Sequence, residues 1–267
     1  MKGKIDPGSV AVVTGAGGGL GRALCLELAA RGAVVAAVDI DLSGAEETLA
    51  AIEAAGGRGG AWRCDVGEWA EVEALREAVE ATLGPVELLA NNAGVAATGP
   101  LEEISLERWR WSVDVNLYGV LHGLRAFLPG MRARGRGRVL NVASIAAFAS
   151  LAEMGPYNAT KAAVVSISET LAAELRGSEI SVTALCPSFF MTQIMASAQG
   201  PDDETRARVE EIMRGSRVQA PQVAARAVDA LLAGRLYAFP MAEAGLIWRA
   251  KRLAPRLLAW ALGRAAP

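Results

Sequence analysis

The chain has 267 residues, 52% of them hydrophobic, and a formal charge of −2. That length fits one large α/β domain and leaves no room for a second full-sized one. Acidic and basic side chains are interspersed throughout, so no basic arm or stripe points to nucleic acid.

His122 is the sole histidine, which excludes a histidine-based triad and a multi-histidine metal site. The three cysteines, Cys25, Cys64 and Cys186, are widely separated. An odd, scattered set argues against a disulfide framework and for a reducing compartment, and the cytoplasm is the expected location. Met1 to Ile5 is charged and lacks a following apolar h-region, so no signal peptide is expected. The longest uncharged stretch, Ile180 to Pro201, holds Pro187, Gly200, Gln193 and Gln199 and does not read as a membrane span.

In chain order, short β-branched runs alternate with longer helical patterns. Strands are predicted at Ser9–Thr14, Ala33–Asp39, Gly60–Asp65, Val86–Asn91, Arg138–Ser144, Ile180–Cys186 and Arg235–Pro240. Helices are predicted near Leu20–Ala30, Gly44–Ala55, Glu68–Leu83, Leu106–Arg134, Tyr157–Arg176 and Pro221–Ala233. This alternation implies an α/β fold, a doubly wound parallel sheet of about seven strands with helices on both faces. Val10–Val13 and Val34–Val38 are continuously apolar, as strands buried on both sides must be. Ligands are expected at the carboxyl ends of the strands. Ser188–Arg217 interrupts the alternation and reads as a lid or binding loop.

Thr14-Gly15-Ala16-Gly17-Gly18-Gly19-Leu20-Gly21 follows the first strand and opens a helix. Glycines let the backbone turn tightly and approach a pyrophosphate, and the helix start supplies free N–H groups. Asp39 ends the second strand, 18 residues after Gly21. A carboxylate there accepts hydrogen bonds from the adenosine ribose and repels the 2′-phosphate of NADP. Gly18 and Ile40, where a base could hold that phosphate, are uncharged, so NAD is expected over NADP. Asp39 could instead cap the next helix, but Asp41 and Ser43 serve equally well.

Tyr157 and Lys161, four apart, share one face of a helix. A nearby ammonium favours a phenolate and so suits a tyrosine to acid/base work. With these motifs in this order, the chain resembles the short-chain dehydrogenase/reductase family, in its soluble single-domain branch, over about residues 8 to 240. Thr14-Gly15-x-x-x-Gly19-x-Gly21 is similar to that family's cofactor motif, Asp65-Val66 to its adenine-contacting pair, and Asn91-Asn92-Ala93-Gly94 to the motif closing the fourth strand. Ser144, 13 residues before Tyr157, takes the place of the catalytic serine, and Asn116 that of the catalytic asparagine. Pro187 and Thr192 match the segment that closes over the nicotinamide.

The resemblance implies a Rossmann-like NAD(P)-binding catalytic domain over residues 1–243. It implies a catalytic set of Asn116, Ser144, Tyr157 and Lys161. Ser144 would steady the substrate oxygen. Tyr157 would transfer the proton, and Lys161 would lower its pKa and bind the nicotinamide ribose. Asn116 would hold a relay water. It also implies a cofactor site of Gly15, Gly17, Gly18, Gly19, Leu20, Gly21, Asp39, Ile40, Asp65, Val66, Asn92, Ala93, Gly94, Tyr157, Lys161, Pro187 and Thr192, and no metal. Three departures stand out. Pro187-Ser188 replaces Pro-Gly, Ala143 replaces a second serine, and the chain runs past Tyr237-Ala238-Phe239-Pro240 into a basic, apolar extension. The last puts the usual tetramer in doubt, although a homo-oligomer, dimer or tetramer, is still expected.

The activity expected is hydride transfer between NAD(H) and a secondary alcohol or ketone. A non-catalytic NAD-binding sensor or scaffold on the same fold is the alternative, disfavoured by the intact four-residue set. A sugar-nucleotide epimerase or dehydratase fits less well, since relatives of that kind space their glycines differently. Val95, Ala96, Phe148, Met154, Phe189, Phe190 and Met195 suggest an apolar pocket wall without an arginine for a carboxylate. They point to a lipophilic substrate such as a steroid, retinoid, terpene or acyl chain, although any one of them could simply be core. In the extension, residues 244–267, Leu246, Ala250, Leu253, Leu257 and Ala261 recur at helical spacing beside Arg249, Arg252 and Arg256, and Pro255 kinks or divides the segment. Three roles stand open for it: packing against its own domain or a sister subunit, a lid on the pocket, or peripheral contact with an anionic membrane. The expectation is an oligomer interface that borders the pocket mouth.

Overall fold

The structure, a computed structural model, describes residues 3–192, 194, 198–200 and 203–265. Seven parallel strands form one sheet in the order β3-β2-β1-β4-β5-β6-β7. They are β1 (Val10–Thr14), β2 (Val34–Asp39), β3 (Arg58–Arg63), β4 (Val86–Asn91), β5 (Arg136–Val142), β6 (Glu179–Leu185) and β7 (Tyr237–Ala238). Helices α1 (Gly19–Ala30), α2 (Leu42–Ala54), α3 (Trp69–Leu83), α4 (Leu106–Val113), α5 (Gly119–Arg134), α6 (Ala146–Ala149), α7 (Gly155–Glu174), α8 (Asp203–Arg214) and α9 (Ala220–Leu232) follow in chain order. The chain closes with α10 (Ala242–Leu253) and α11 (Pro255–Ala265).

The period of two along each strand divides the core. Ala11 and Val13 pack with Leu24 and Leu28 of α1 and Val223, Ala227 and Leu231 of α9. Val10 and Val12 pack with Val72 and Val79 of α3, Phe127 and Met131 of α5, and Val164 and Leu171 of α7. Each such leucine or valine taken fully from water stabilises the fold by about 1.5–3 kcal/mol. The strand order turns outward in both directions from β1 and β4, which leaves a crevice at their carboxyl ends.

Three expectations are adjusted and a fourth holds. The single helix expected over Leu106–Arg134 is two, α4 and α5, joined by a π-helical turn at Asp114–Tyr118. β3 begins and ends two residues earlier than expected. A Cβ on Gly59 would lie 2.1 Å from the Val35 carbonyl oxygen, so the glycines there let β3 lie flush on β2. The last strand shrinks to two residues before the chain turns into α10. The extension is divided at Ala254, just before Pro255, as expected: a proline starts a new helix easily because its missing N–H is not needed.

Candidate active site

The glycine loop is tight because its neighbours leave no room for side chains. A Cβ on Gly21 would lie 1.8 Å from the Gly15 carbonyl oxygen, and one on Gly15 would lie 2.9 Å from the Ala93 Cα. Gly15 (φ +66°) adopts the left-handed backbone that glycine alone takes freely. Two side chains brace the loop from α1 and α2, and sequence reasoning missed both. Arg22 donates to the Gly17 carbonyl at 2.7 Å and to Thr48 Oγ1 at 2.9 Å, and Thr48 Oγ1 donates to the Ala16 carbonyl at 2.7 Å. From the other side, Thr14 Oγ1 accepts from the N–H groups of Asn92 and Ala93 at 3.0 and 3.1 Å, and Asn92 Nδ2 donates to the Thr14 carbonyl at 2.8 Å.

A cavity of about 1560 Å³ runs along this edge of the sheet. Of the expected cofactor residues, Gly15, Gly18, Gly19, Leu20, Gly21, Asp39, Ile40, Asp65, Val66, Asn92, Ala93 and Gly94 line it, as do Tyr157, Lys161, Pro187 and Thr192. Gly17 does not: its N–H donates to Asp39 Oδ2 at 2.7 Å, and it packs against Gly44. Its part is to aim the carboxylate. Asp41, not Asp39, caps α2, accepting from Ser43 N–H at 3.1 Å. Asp65 closes a small turn by accepting from Gly67 N–H at 2.9 Å while still facing the cavity. Gly18, at the start of α1, offers no capping side chain, and the first turn carries no acid. Uncapped N–H groups at one point and an acidic side chain at the next strand end suit a pyrophosphate followed by a ribose. The residues present therefore fit a nicotinamide dinucleotide.

Ser144 ends the segment after β5, and Tyr157 and Lys161 project from the first turns of α7 into the same cavity. Burial raises the Tyr157 phenol above its ordinary range, and a hydrogen bond with Ser144 lowers it. Burial lowers Lys161 to about 8. Lys161 Nζ donates to the Val142 carbonyl at 2.8 Å and stands 5.6 Å from the centre of the Tyr157 ring. Ser144 thus bonds the phenol, and Lys161 stands beside the ring.

Asn116 is fully buried behind the cavity and does not line it. It sits in the π-helical turn between α4 and α5, with its side chain buried. Its Oδ1 accepts from Val95 N–H at 2.8 Å, and its Nδ2 donates to the Val95 carbonyl at 2.9 Å and to Thr160 Oγ1 at 3.1 Å. These bonds tie the segment after β4 to α7. A Cβ on Gly94 would lie 3.2 Å from both Asn116 Oδ1 and Lys161 Nζ, so this glycine keeps the space beside the lysine open. Asn91 Nδ2 donates to Asn141 Oδ1 at 2.9 Å, which braces β4 against β5.

The apolar half of the cavity holds Val95, Ala96, Phe148, Met154, Phe189 and Phe190 as expected; Met195 lies outside the described residues. Val209, Ile212 and Met213 of α8 and Leu258, Ala259 and Leu262 of α11 join them. Arg110, Arg208 and Lys251 also line it, all three exposed. The sequence reading found no arginine placed for a substrate carboxylate; Arg110 and Arg208 stand at the cavity's exposed outer surface. Helices beyond the alternating pattern bring these residues in, and periodicity alone cannot say where such helices dock. Cys25, Cys64 and Cys186 are buried, and burial raises all three thiols, Cys64 to about 12, as for inert packing groups.

Comparison with known proteins agrees with this geometry. Residues 9–203 match the family model for short chain dehydrogenases. The chain is 37% identical over 225 residues to a D-threitol dehydrogenase of Mycolicibacterium smegmatis, covering 83% of this chain and 85% of the relative. It is 36% identical over 222 residues to 3beta-hydroxysteroid dehydrogenase 1 of Eggerthella lenta, covering 82% and 85%. Among solved structures, a short chain dehydrogenase/reductase from Burkholderia phymatum in complex with NAD superposes with a TM-score of 0.88 at 34% identity, covering 94% of this chain and 95% of that one. A metagenomic short-chain oxidoreductase in complex with NADP superposes at 0.73 and 27% identity, covering 88% and 98%. The chain belongs to the short-chain dehydrogenase/reductase family, whose members are oxidoreductases on this fold.

Proposed function

We propose that the protein oxidises a lipophilic secondary alcohol, or reduces the matching ketone, with NAD(H). The observation that carries the reading is the convergence of Ser144, Tyr157 and Lys161 on one cavity whose outer half is apolar. Bound along Gly15–Gly21, Asp39 and Asn92–Gly94, the dinucleotide would supply the hydride acceptor or donor. The chain's own groups supply the rest. Ser144 hydrogen-bonds the substrate oxygen and steadies charge developing there. Tyr157 Oη takes the hydroxyl proton in oxidation and returns it in reduction. Lys161, held by the Val142 carbonyl, places a cation near Tyr157 when protonated. Asn116 fixes α7 against Val95 and so sets where Tyr157 stands.

Asp39 supports NAD as the partner. Its carboxylate is aimed by Gly17 N–H and by Asp41 N–H at 3.0 Å, and its neighbour Ile40 is uncharged. Cofactor absorbance over a panel of lipophilic alcohols, with NAD and NADP side by side, tests both parts. The expected result is turnover with NAD preferred. Asp39→Ala should then move the ratio of specificity constants toward NADP by about tenfold, equivalent to about 1.4 kcal/mol. Wild-type preference for NADP would overturn the cofactor reading, and turnover only of small polyols would overturn the substrate class.

A further inference from the structure

Helix α11 has apolar side chains on two opposite faces. Leu258 and Leu262, four apart, line the cavity, while Leu257 and Trp260, three apart, point outward and are 63% and 59% exposed. On α10, Ile247 and Trp248 pack on the body beside Tyr237 and Phe239, while Leu246 and Leu253 are exposed, Leu253 at 85%. A helix apolar on both sides is one that something covers on both sides.

The charge of this segment names the occupant. From the start of α10 to the end the chain carries five basic side chains and one acidic, Glu243 in the first turn of α10, although the protein as a whole is net −2. Arg252 is held to the body, over the Trp248 ring at 4.6 Å and against Glu169 at 3.1 Å. Arg249, Lys251 and Arg256 are exposed and form no ion pair among the described residues. A second copy of this chain would bring the same positive charge to the same patch, which repels. Exposed leucines and a tryptophan interleaved with arginines, on helices too short to cross a bilayer, suit the surface of an anionic membrane.

We infer that the outer face of α10–α11 docks on an anionic lipid surface and sets the cavity mouth against the membrane. Docking needs no turnover and stands independently of the proposed chemistry. Delivery of substrate from the bilayer rests on the lipophilic reading above.

The test is co-sedimentation of the full-length protein with phosphatidylcholine vesicles, with and without phosphatidylglycerol. The expected result is binding to the anionic vesicles only, released by roughly 0.5 M salt, where screening shortens to a few ångströms. Leu253→Glu combined with Leu257→Glu should reduce bound protein at least tenfold. Both side chains are exposed and neither lines the cavity, so turnover of a water-soluble alcohol should be unchanged. Absence of binding to anionic vesicles would overturn the inference, as would equal binding by the double variant. A dimer in light scattering that the double variant splits, with no vesicle binding, would show a second copy as the occupant instead.

Discussion

The two halves of the cavity are built by different means. The half formed by β1, β2 and β4 is held by the backbone and by side chains that bond to it: Arg22 and Thr48 on one flank, Thr14 and Asn92 on the other. The outer half is made of side chains on α6, α8 and α11 and the segment between α6 and α7. In that segment Ser150 (φ 51°) and Glu153 (φ 58°) adopt left-handed backbone that non-glycine residues seldom take. Among the described residues it is held by hydrogen bonds from Gly99 N–H, in the loop after β4, to the Glu153 carbonyl at 2.8 Å and from Asn158 Nδ2 to the Leu151 carbonyl at 2.7 Å. A dinucleotide is the same molecule for every protein that binds it, so its site can be fixed in backbone. A substrate differs from enzyme to enzyme, and side chains on peripheral helices can change without disturbing the sheet.

The comparison breaks most directly where the two halves meet, at Tyr157. Replacing it with phenylalanine removes one oxygen from a partly buried ring and leaves the packing in place. Turnover should fall by about 100- to 10 000-fold, the range usual for a positioned acid/base, with dinucleotide affinity and melting temperature little changed. Steady-state kinetics beside calorimetric titration of the dinucleotide measures both. A variant with half of wild-type turnover would remove Tyr157 from the reaction.

Next in size is a substitution that touches only the backbone-built half. Gly21→Ala would place a Cβ 1.8 Å from the Gly15 carbonyl, and neither atom belongs to a flexible side chain. The loop must move, with an expected loss of about 1–3 kcal/mol in stability, the usual cost of overpacking. Dinucleotide affinity should fall with it. Thermal melts and titration check this, and an alanine variant with native affinity would show that the loop is softer than its packing implies.

Legibility in the sequence follows the same division. The strand-turn-helix glycines, Asp39, and the Ser144, Tyr157 and Lys161 spacing are local patterns, and the structure brings them to one cavity. Two errors also have local causes. The π-helical turn leaves the apolar period of α4 and α5 almost unbroken, so periodicity shows one helix. Gly17 looks identical to its neighbours in sequence, but its carboxylate contact depends on where β2 ends. The outer half was only partly readable. Phe148, Phe189 and Phe190 were found from composition and position, whereas Arg22 and Thr48, and the docking of α8 and α11, depend on tertiary packing. The extension does border the cavity, as expected, through Leu258 and Leu262.

The pH dependence sharpens the junction further. Burial disfavours charge on both Tyr157 and Lys161, raising the first and lowering the second to about 8. Oxidation consumes the deprotonated tyrosine and reduction the protonated one. Alcohol oxidation should therefore rise toward alkaline pH, and ketone reduction should fall, by about tenfold per unit at the steep part of each curve. The linked stability has a definite sign. Lys161 binds its proton less tightly folded than unfolded, so stability is gained as pH rises from about 8 toward the ordinary lysine value and lost on the way down. Profiles of kcat/KM in both directions, with melts at matched pH, would show this. Parallel pH profiles for oxidation and reduction would contradict the assignment.

The smallest effect is expected in the outer half, and its smallness is itself informative. Leu262 lines the cavity from α11, is partly buried, and sits on a helix where alanine is readily accommodated. Leu262→Ala removes apolar wall without touching Ser144, Tyr157 or the glycine loop. A bulky lipophilic alcohol that reaches α11 would lose about 1–2 kcal/mol of contact, a rise in KM of about five- to thirtyfold with kcat nearly constant. A small alcohol that reaches only Ser144 and Tyr157 should show no change, and neither should dinucleotide affinity. Kinetics of the variant with a short and a long alcohol would separate the two halves experimentally. Equal losses for both alcohols would mean that α11 acts through the catalytic centre rather than through the substrate. An unchanged KM for the long alcohol would mean that the substrate ends before it reaches α11, and the outer wall would then be packing alone.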